Sequence, residues 1–222
     1  MKIGVVGAGN VGKSVAKLFI KHQFEVMIAN SRDPSSLFSL GMRIPKAKLG
    51  TVRQVCEYSD IIFLAIPLIN VTQLTADDFA GKLIVDLNNY YPARDGDIAG
   101  LSTYEISTAE FVANRLCKST IVKAFNNILA EHIYQDARPK GSRDRRALPV
   151  ASDDGEAKTT IMSLMDKLGF DPLDGGTLAE SWRYERGKPA YCFSLNYSEM
   201  KDALAKAERH IELPLSAWDS LR

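Results

Sequence analysis

Lys2-Ile-Gly-Val-Val6 is a short apolar stretch that runs directly into Gly7-Ala-Gly-Asn-Val-Gly12, which fits the pattern G-x-G-x-x-G. A second apolar stretch, residues 24–29, follows after a helical pattern, so a strand, a glycine turn, a helix and a strand fall within about 30 residues. This order predicts a dinucleotide-binding unit at the start of the chain. The helical pattern itself is set by apolar side chains on one face, namely Val11, Val15, Leu18 and Phe19.

The glycine turn predicts a pyrophosphate site. Gly7 permits a tight turn, Gly9 lets the backbone approach a phosphate, and Gly12 lets the helix pack close to the strand. Asn10 and Val11 lie at the start of the helix, where free N–H groups and the helix dipole attract anions. We therefore expect cofactor contacts at these five residues. The alternative is a glycine turn without a ligand.

The same residues also fit a second motif. Residues 7–14 satisfy G-x-x-x-x-G-K-S, the phosphate loop of nucleoside triphosphatases and kinases, and Leu83-Ile-Val-Asp86 offers a candidate metal-binding aspartate. However, Lys13, Lys17 and Lys21 recur every four residues, which is typical of a solvated helix face. We favour the dinucleotide interpretation, expect no metal site, and keep a triphosphatase or kinase as the weaker alternative.

The end of the second predicted strand favours NADP over NAD. Units that bind NAD usually place an acidic residue there to bond the ribose 2′-hydroxyl. In this chain the strand ends in Asn30 and is followed by Ser31 and Arg32, whose hydroxyl and guanidinium suit a 2′-phosphate. Asp33 is the one nearby acid, and a polar loop without a ligand is the alternative.

Composition places the chain among ordinary globular proteins. It has 222 residues, 45% of them hydrophobic and 25% charged, with a formal net charge of +1. This balance predicts no attraction to nucleic acid or to membranes. We expect no signal peptide before the first strand, and Cys56, Cys117 and Cys192 show no C-x-x-C spacing. We expect a cytoplasmic protein without a disulfide framework.

The remaining pattern alternates strands and helices. Apolar stretches at residues 61–66, 82–87 and 120–125 predict buried parallel strands, and shorter ones at residues 147–151 and 170–173 predict two more. Alternation of this kind indicates an α/β fold, a Rossmann-type doubly wound and mostly parallel sheet. One domain with an extended sheet is the simplest organisation.

The C-terminal part predicts a small helical extension. Residues 198–209 form an amphipathic pattern with Met200, Leu204 and Ala207 on the apolar face. We divide the chain into a dinucleotide-binding domain, residues 1–192, and a C-terminal helical extension, residues 193–222. The apolar C-terminal helix suggests a homodimer. Residues 136–146, rich in arginine and lysine, are interpreted as a solvated loop.

The chemistry of the site is predicted from the strand ends. Ligands of open α/β sheets bind outside the carboxyl ends of the strands. Besides the glycine loop and Asn30, these ends carry Ile66-Pro67, Asn88-Asn89 and Phe125-Asn126, without a carboxylate pair, a histidine or a cysteine. Such residues suit a nicotinamide ring and a flat acceptor better than proton abstraction or nucleophilic attack. Satisfied turn or cap residues are the alternative at each amide pair.

Several stretches together resemble a known family, the NADPH-dependent reductases of the deazaflavin coenzyme F420, with their bacterial relatives and the cytosolic domain of the six-transmembrane ferric reductases. The resemblance extends to about Cys192. Its more specific stretches are Lys123-Ala-Phe-Asn126 and Ala179-Glu-Ser-Trp-Arg183; it also includes residues 7–12, Ser31-Arg32, Phe63-Leu-Ala-Ile-Pro67, residues 148–154 and Gly169-Phe-Asp-Pro172.

The resemblance implies a Rossmann domain in which NADPH passes hydride to a flavin or deazaflavin without an obligatory acid or base. By motif, Ser31 and Arg32 would hold the 2′-phosphate, and Ile66-Pro67 would line the cofactor. Asn88 and Phe125-Asn126 would lie beside the nicotinamide. We accordingly expect an NADP(H)-dependent oxidoreductase with a small-molecule acceptor, and assign no catalytic residue. The alternative is an NADP(H)-binding sensor or partner protein that lacks catalysis.

Overall fold

The computed structural model describes residues 1–30 and 38–221. Its central feature is a six-stranded parallel sheet with the strand order β3-β2-β1-β4-β5-β6. This order, with helices on both faces, is that of the Rossmann fold, so the predicted fold class is confirmed. The strands are β1 (Lys2–Val6), β2 (Glu25–Ala29), β3 (Ala47–Leu49), β4 (Ile61–Leu64), β5 (Leu83–Asp86) and β6 (Thr120–Lys123).

Helices connect these strands and cover both faces. The α-helices are α1 (Asn10–Lys21), α2 (Phe38–Arg43), α3 (Val52–Tyr58), α4 (Pro92–Asp95), α5 (Thr108–Arg115), α6 (His132–Gln135), α7 (Gly155–Leu168) and α8 (Tyr197–Ala205). Within residues 1–30 and 38–221, four further segments are 3-10 helices, namely Leu68–Gln73, Ala76–Phe79, Leu178–Tyr184 and Leu215–Leu221.

Both faces of the sheet are buried, which explains the continuous apolar runs of the sequence. Successive residues of a strand point to opposite faces, so Val5 and Phe63 pack on one side and Val6 and Leu64 on the other. The first side also receives Phe19 of α1, whose ring lies 4.8 Å from that of Phe63 in an edge-on arrangement. The sheet therefore separates two hydrophobic cores.

Two later strands depart from the expected single extended sheet. β7 (Ala147–Val150) and β8 (Asp171–Asp174) form their own two-stranded parallel sheet. Its backbone is joined to β6 by an isolated antiparallel bridge between Lys123 and Ala151, with distances of 2.8 and 3.0 Å between the backbone N and O atoms. Along the rest of its length β7 pairs with β8, and the N–H of Ala147 bonds to the carbonyl of Leu195. The N–H of Ala147 is therefore unavailable to β6.

The C-terminal helix is shorter than the sequence predicts. α8 ends at Ala205, and the third buried residue of its inner face is Ala203 rather than Ala207, beside Met200 and Leu204. Beyond the helix, the buried ammonium of Lys188 donates hydrogen bonds to the carbonyl oxygens of residues 208, 209 and 211. Residues 208–211 are thus held around this ammonium and do not continue the helix. The domain boundary at residue 192 stays a prediction, as does the homodimer.

The basic segment 136–146 is irregular, but the solvated loop expected there is wrong for its last two residues. Arg145 and Arg146 are 4% and 1% exposed. Arg145 bonds to Asp166 and Asp171, each at 2.7 Å, whereas Arg146 bonds to Asp136 and to backbone carbonyls near Cys192. Arg145 is paired with two acids from a later part of the chain and Arg146 with one acid of its own segment, which makes burial of both charges tolerable.

Candidate dinucleotide and nicotinamide site

The glycine loop has the geometry of a dinucleotide site. Gly7 has a φ of +120°, and a methyl group added there would overlap the carbonyl oxygen of Ala65. A methyl group on Gly12 would overlap the carbonyl oxygen of Gly7, whereas one on Gly9 would meet nothing within 4 Å. Gly7 and Gly12 thus hold α1 against β1, and Gly9 leaves open space.

The start of α1 leaves donors for an anion. The helix begins at Asn10, and its cap residue Gly9 provides no side-chain hydrogen bond to the first turn. No acidic residue lies in that turn. Asn10 is exposed, while Val11 is partly buried against the core, so Val11 can contribute its backbone N–H rather than its side chain. The first turn can therefore bind a phosphate through backbone N–H groups.

A groove of about 530 Å³ lies along this loop. It is lined by Gly7, Gly9, Asn30, Ile66 and Pro67, among others, so the ends of β1, β2 and β4 meet there as the sequence predicts. Ser31 and Arg32, the residues predicted to hold a 2′-phosphate, lie outside the described residues. Asn30, immediately before them, lines the groove.

The geometry does not favour the phosphate-loop alternative. α1 already begins at Asn10, and Lys13 lines a separate groove together with Lys17 and Arg43 rather than the one along the glycine loop. Asp86, the candidate metal ligand, is fully buried and forms an ion pair of 2.9 Å with Lys123. Neither side chain is placed to bind a magnesium nucleoside triphosphate at the loop.

The predicted amides at the ends of β5 and β6 are brought together. Asn88 is 3% exposed, and its Oδ1 accepts from the N–H of Ile66 at 3.0 Å. Asn126 is also 3% exposed, and its Nδ2 donates to Asn89 Oδ1 and to the carbonyl of Tyr184, both at 3.1 Å. Asn89 Nδ2 in turn donates to the carbonyl of Asn126 at 2.8 Å. These hydrogen bonds join the two strand ends.

Two atoms of this amide group have no hydrogen-bond partner among the described residues. They are Asn88 Nδ2, a donor, and Asn126 Oδ1, an acceptor. A buried polar atom without a partner costs about 1–3 kcal/mol, so each such atom calls for an explanation. A primary carboxamide carries one acceptor oxygen and a donor NH₂, which is the complement of this pair.

The ring of Phe125 is buried in the core and does not lie exposed at the site. Its side chain is 2% exposed and packs edge-on against Phe170, with ring centroids 5.6 Å apart. Its φ is +56°, a left-handed conformation that is unfavourable for a bulky residue. This turn directs Asn126 toward Asn89. Phe125 therefore shapes the site through its backbone.

An aromatic rim adjoins the amides and was not anticipated from the sequence. The hydroxyls of Tyr91 and Tyr191 form a hydrogen bond, and the next residue along, Cys192, bonds to the carbonyl of Asn127 at 3.0 Å. Trp218 donates its indole N–H to the carbonyl of Tyr191 at 2.9 Å. Aromatic residues scattered over residues 91–218 give no local pattern that would reveal this rim.

A buried ionic group beneath Asn88 was also missed. Lys123, Asp86 and Thr108 are 0% exposed, and Glu185 bonds to Thr108. Burial raises the pKa of the Asp86 and Glu185 carboxyls, while the nearby Lys123 ammonium opposes this rise. One signal was available, because a lysine within the apolar run Thr120-Ile-Val-Lys-Ala-Phe125 needs a buried partner.

Residues 2–90 match the model of the family described as NADP oxidoreductase, coenzyme F420-dependent. Residues 2–90 therefore form a domain of this family. Among curated proteins, Metalloreductase STEAP3 of Rattus norvegicus is 30% identical over 187 residues, which cover 83% of this chain and 36% of that protein. The chain thus spans about a third of the length of this relative.

Two solved structures resemble this chain over most of its length. The hypothetical protein SMa0349 of Sinorhizobium meliloti has 30% identity and a TM-score of 0.73, covering 88% of this chain and 95% of that one. A proposed F420-dependent NADP reductase of Arthrobacter sp. FB24 has 26% identity and a TM-score of 0.67, covering 80% and 86%. Within residues 1–30 and 38–221, no helix is both long and apolar enough to cross a membrane.

Two glycine variants of this chain separate packing from binding. Gly9→Ala should leave the free energy of unfolding within about 0.5 kcal/mol of the wild type, because its methyl group meets open space, yet weaken dinucleotide affinity at least tenfold. Gly12→Ala should lower the free energy of unfolding by about 1–3 kcal/mol, because it overpacks α1 against Gly7. Urea unfolding and fluorescence titration measure the two effects; unchanged binding by Gly9→Ala would contradict the pyrophosphate assignment.

Proposed function

We propose that this protein is an NADP(H)-dependent oxidoreductase that transfers hydride between the nicotinamide and a flat acceptor of the flavin or deazaflavin class. The observation that carries the proposal is the pair of unpartnered amide atoms, Asn88 Nδ2 and Asn126 Oδ1, at neighbouring strand ends. A nicotinamide carboxamide would accept from the first and donate to the second. The glycine loop supplies the matching pyrophosphate site at the end of β1.

The kind of chemistry also supports hydride transfer. Hydride transfer between two flat rings needs positioning and does not require the protein to abstract a proton first. The acids Asp86 and Glu185 bond within the protein, to Lys123 and Thr108, so neither is left as a free base. The rim of Tyr91, Tyr191 and Trp218 adds aromatic side chains beside the amides, although Arg94 and Arg186 lie over Tyr91 and Phe193 stacks on Trp218.

The relatives agree with this class of reaction. One is named a metalloreductase and another an NADP reductase. For this chain, NADP as the cofactor rests on Ser31 and Arg32 of the sequence and on the family, and a cytoplasmic setting without nucleic-acid or membrane partners stays part of the proposal. An organic acceptor is preferred to a bare metal ion because the described residues hold no cluster of three or more metal-ligating side chains.

Turnover tests the proposal directly. The purified protein is mixed anaerobically with NADPH and, in separate reactions, FMN, FAD, a deazaflavin and a ferric chelate, and the loss of reduced nicotinamide absorbance is followed. Steady oxidation with a flavin or deazaflavin is expected. Dinucleotide binding without turnover with any acceptor would instead identify a sensor or partner protein. Binding of magnesium ATP without either dinucleotide would exclude an oxidoreductase.

The preference for NADP is tested at Arg32. Arg32→Ala should weaken NADPH binding about tenfold, or about 1.4 kcal/mol, and leave NADH binding within twofold, because only NADPH carries the 2′-phosphate. Lys201→Ala, which removes one exposed positive charge from α8, is the control for general electrostatic attraction. Equal NADPH affinity in the wild type and in Arg32→Ala would overturn the assignment.

The carboxamide contact is tested at Asn88. Asn88→Asp keeps an oxygen that can accept from the N–H of Ile66 but replaces the free donor Nδ2 by an acceptor. NADPH affinity should fall about tenfold, since an unpaired polar group then faces the carboxamide. Asn114→Asp makes the same chemical change on the exposed side of α5 and should leave binding within twofold. If both variants bind NADPH like the wild type, Asn88 does not hold the ring.

A further inference from the structure

The ammonium of Lys123 is held in a site without access to water. Its side chain is 0% exposed, and it donates to Asp86 Oδ2 at 2.9 Å, to Thr108 Oγ1 at 2.9 Å and to the backbone carbonyl of Asn88. An ammonium has three N–H donors, so all of them are used. The acceptors come from the end of β5, the loop that follows it and the first residue of α5.

Thr108 extends this group to a second acid. Its hydroxyl, which accepts from Lys123, donates to Glu185 Oε1 at 2.6 Å, and its backbone N–H donates to the same oxygen at 2.9 Å. The threonine hydroxyl can therefore turn in only one way, with its lone pair toward Lys123 and its hydrogen toward Glu185. The hydrogen bonds therefore run outward from Lys123, directly to Asp86 on one side and through Thr108 to Glu185 on the other.

Such a group is costly in terms of stability. Removing the Lys123 ammonium and the Asp86 carboxylate from water costs several kcal/mol per ion, and apolar residues of similar volume often stabilise a fold at least as well. The strand β6 is otherwise apolar where it is buried, with Ile121 and Val122 beside Lys123. A stabilising role alone therefore does not account for the lysine.

Asn88 is held at three of its atoms, two of them by the ionic group and the third by Ile66. Lys123 donates to the carbonyl of Asn88, and Asp86 Oδ1 accepts from its N–H at 2.9 Å. The N–H of Ile66 donates to Asn88 Oδ1 at 3.0 Å, which settles the orientation of the amide. What remains is Nδ2, which has no partner within hydrogen-bond distance among the described residues, although the Asn88 side chain also lies close enough to the Asp86 carboxyl to lower its pKa. The residue is thus locked with a single donor left for a ligand.

We propose that Lys123, oriented by Thr108 and Glu185, is a positioning residue that sets the Asn88 amide against the nicotinamide carboxamide and so fixes the ring for hydride transfer. The inference rests on the proposed function but concerns residues that do not touch the cofactor. A pre-set donor orients the ring at a lower entropic cost than a mobile one, and small misplacements of reacting groups reduce rates by large factors.

Thr108→Val and Thr108→Ser form the matched pair that tests this proposal. Valine has nearly the shape of threonine but lacks the hydroxyl that joins Lys123 to Glu185, whereas serine keeps the hydroxyl. The first readout is the single-turnover rate of hydride transfer, with its primary deuterium isotope effect. The second is the contribution of the ring to binding, taken as the Kd of 2′-phospho-ADP-ribose, which lacks the nicotinamide, divided by the Kd of NADPH.

Thr108→Val should lower the transfer rate about tenfold with a larger isotope effect, and reduce the ring contribution about fivefold. The Kd of 2′-phospho-ADP-ribose should change less than twofold, because the glycine loop is untouched. Thr108→Ser should restore both readouts to within about threefold of the wild type. A purely structural role predicts a lower melting temperature with the ring contribution unchanged, and that result would overturn the proposal.

A second variant covers the case in which Thr108→Val does not fold. Lys123→Met combined with Asp86→Asn and Glu185→Gln removes the three charges of the group together, and the amide oxygens at 86 and 185 can still accept from the N–H groups of Asn88 and Thr108. The same loss of ring contribution is expected, and an unchanged value contradicts the proposal. If the wild type fails to oxidise NADPH with any of the acceptors tested, the proposed function is wrong. The ring contribution to binding then decides alone whether Lys123 positions Asn88.

Discussion

A lysine ammonium that has no access to water must find all of its hydrogen-bond acceptors inside the protein, and this requirement organises the molecule around Lys123. The acceptors come from β5, from the loop after it and from α5. The backbone of the same residue forms the bridge to Ala151, through which the smaller sheet joins the larger one. The edge of the Rossmann sheet, the helix that covers it and the second sheet therefore converge on one residue.

The need of buried polar groups for internal partners also explains why the amide side chains at the site are held rigidly. Asn88 is held at its N–H, its carbonyl and its Oδ1, and Asn126 is held through Asn89 and Tyr184. Each amide keeps one polar atom without a partner among the described residues. In a buried region an unpartnered atom is costly, so two complementary ones at adjacent strand ends indicate a ligand more strongly than the presence of asparagine alone.

Much of the fold could be predicted from the sequence because it depends on local periodicity. The glycine pattern and the apolar runs are read within a window of a few residues, and burial on both faces leaves little ambiguity about parallel strands. The second sheet could not be predicted in this way, since the pairing of β7 with β8 depends on where the chain returns after α7. Arg146 looked like a loop residue because the backbone carbonyls that bury it, near Cys192, lie 46 and 47 residues away, and backbone carbonyls leave no signal in the sequence.

For the candidate site, the rule that ligands bind at the carboxyl ends of strands was sufficient to select Asn88 and Asn126. It was not sufficient to show which of their atoms are free, because that is decided by Asp86, Ile66 and Tyr184 in three other segments. The distribution of charge then bears on the chemistry. The buried ions Lys123, Asp86 and Glu185 act on one another and on the backbone of Asn88, while the site itself presents amides and backbone N–H groups. An enzyme that abstracts a proton needs an ionisable group in contact with its substrate, whereas one that moves a hydride between two rings needs those rings held still. Placing the charges behind the site rather than in it meets the second requirement and not the first.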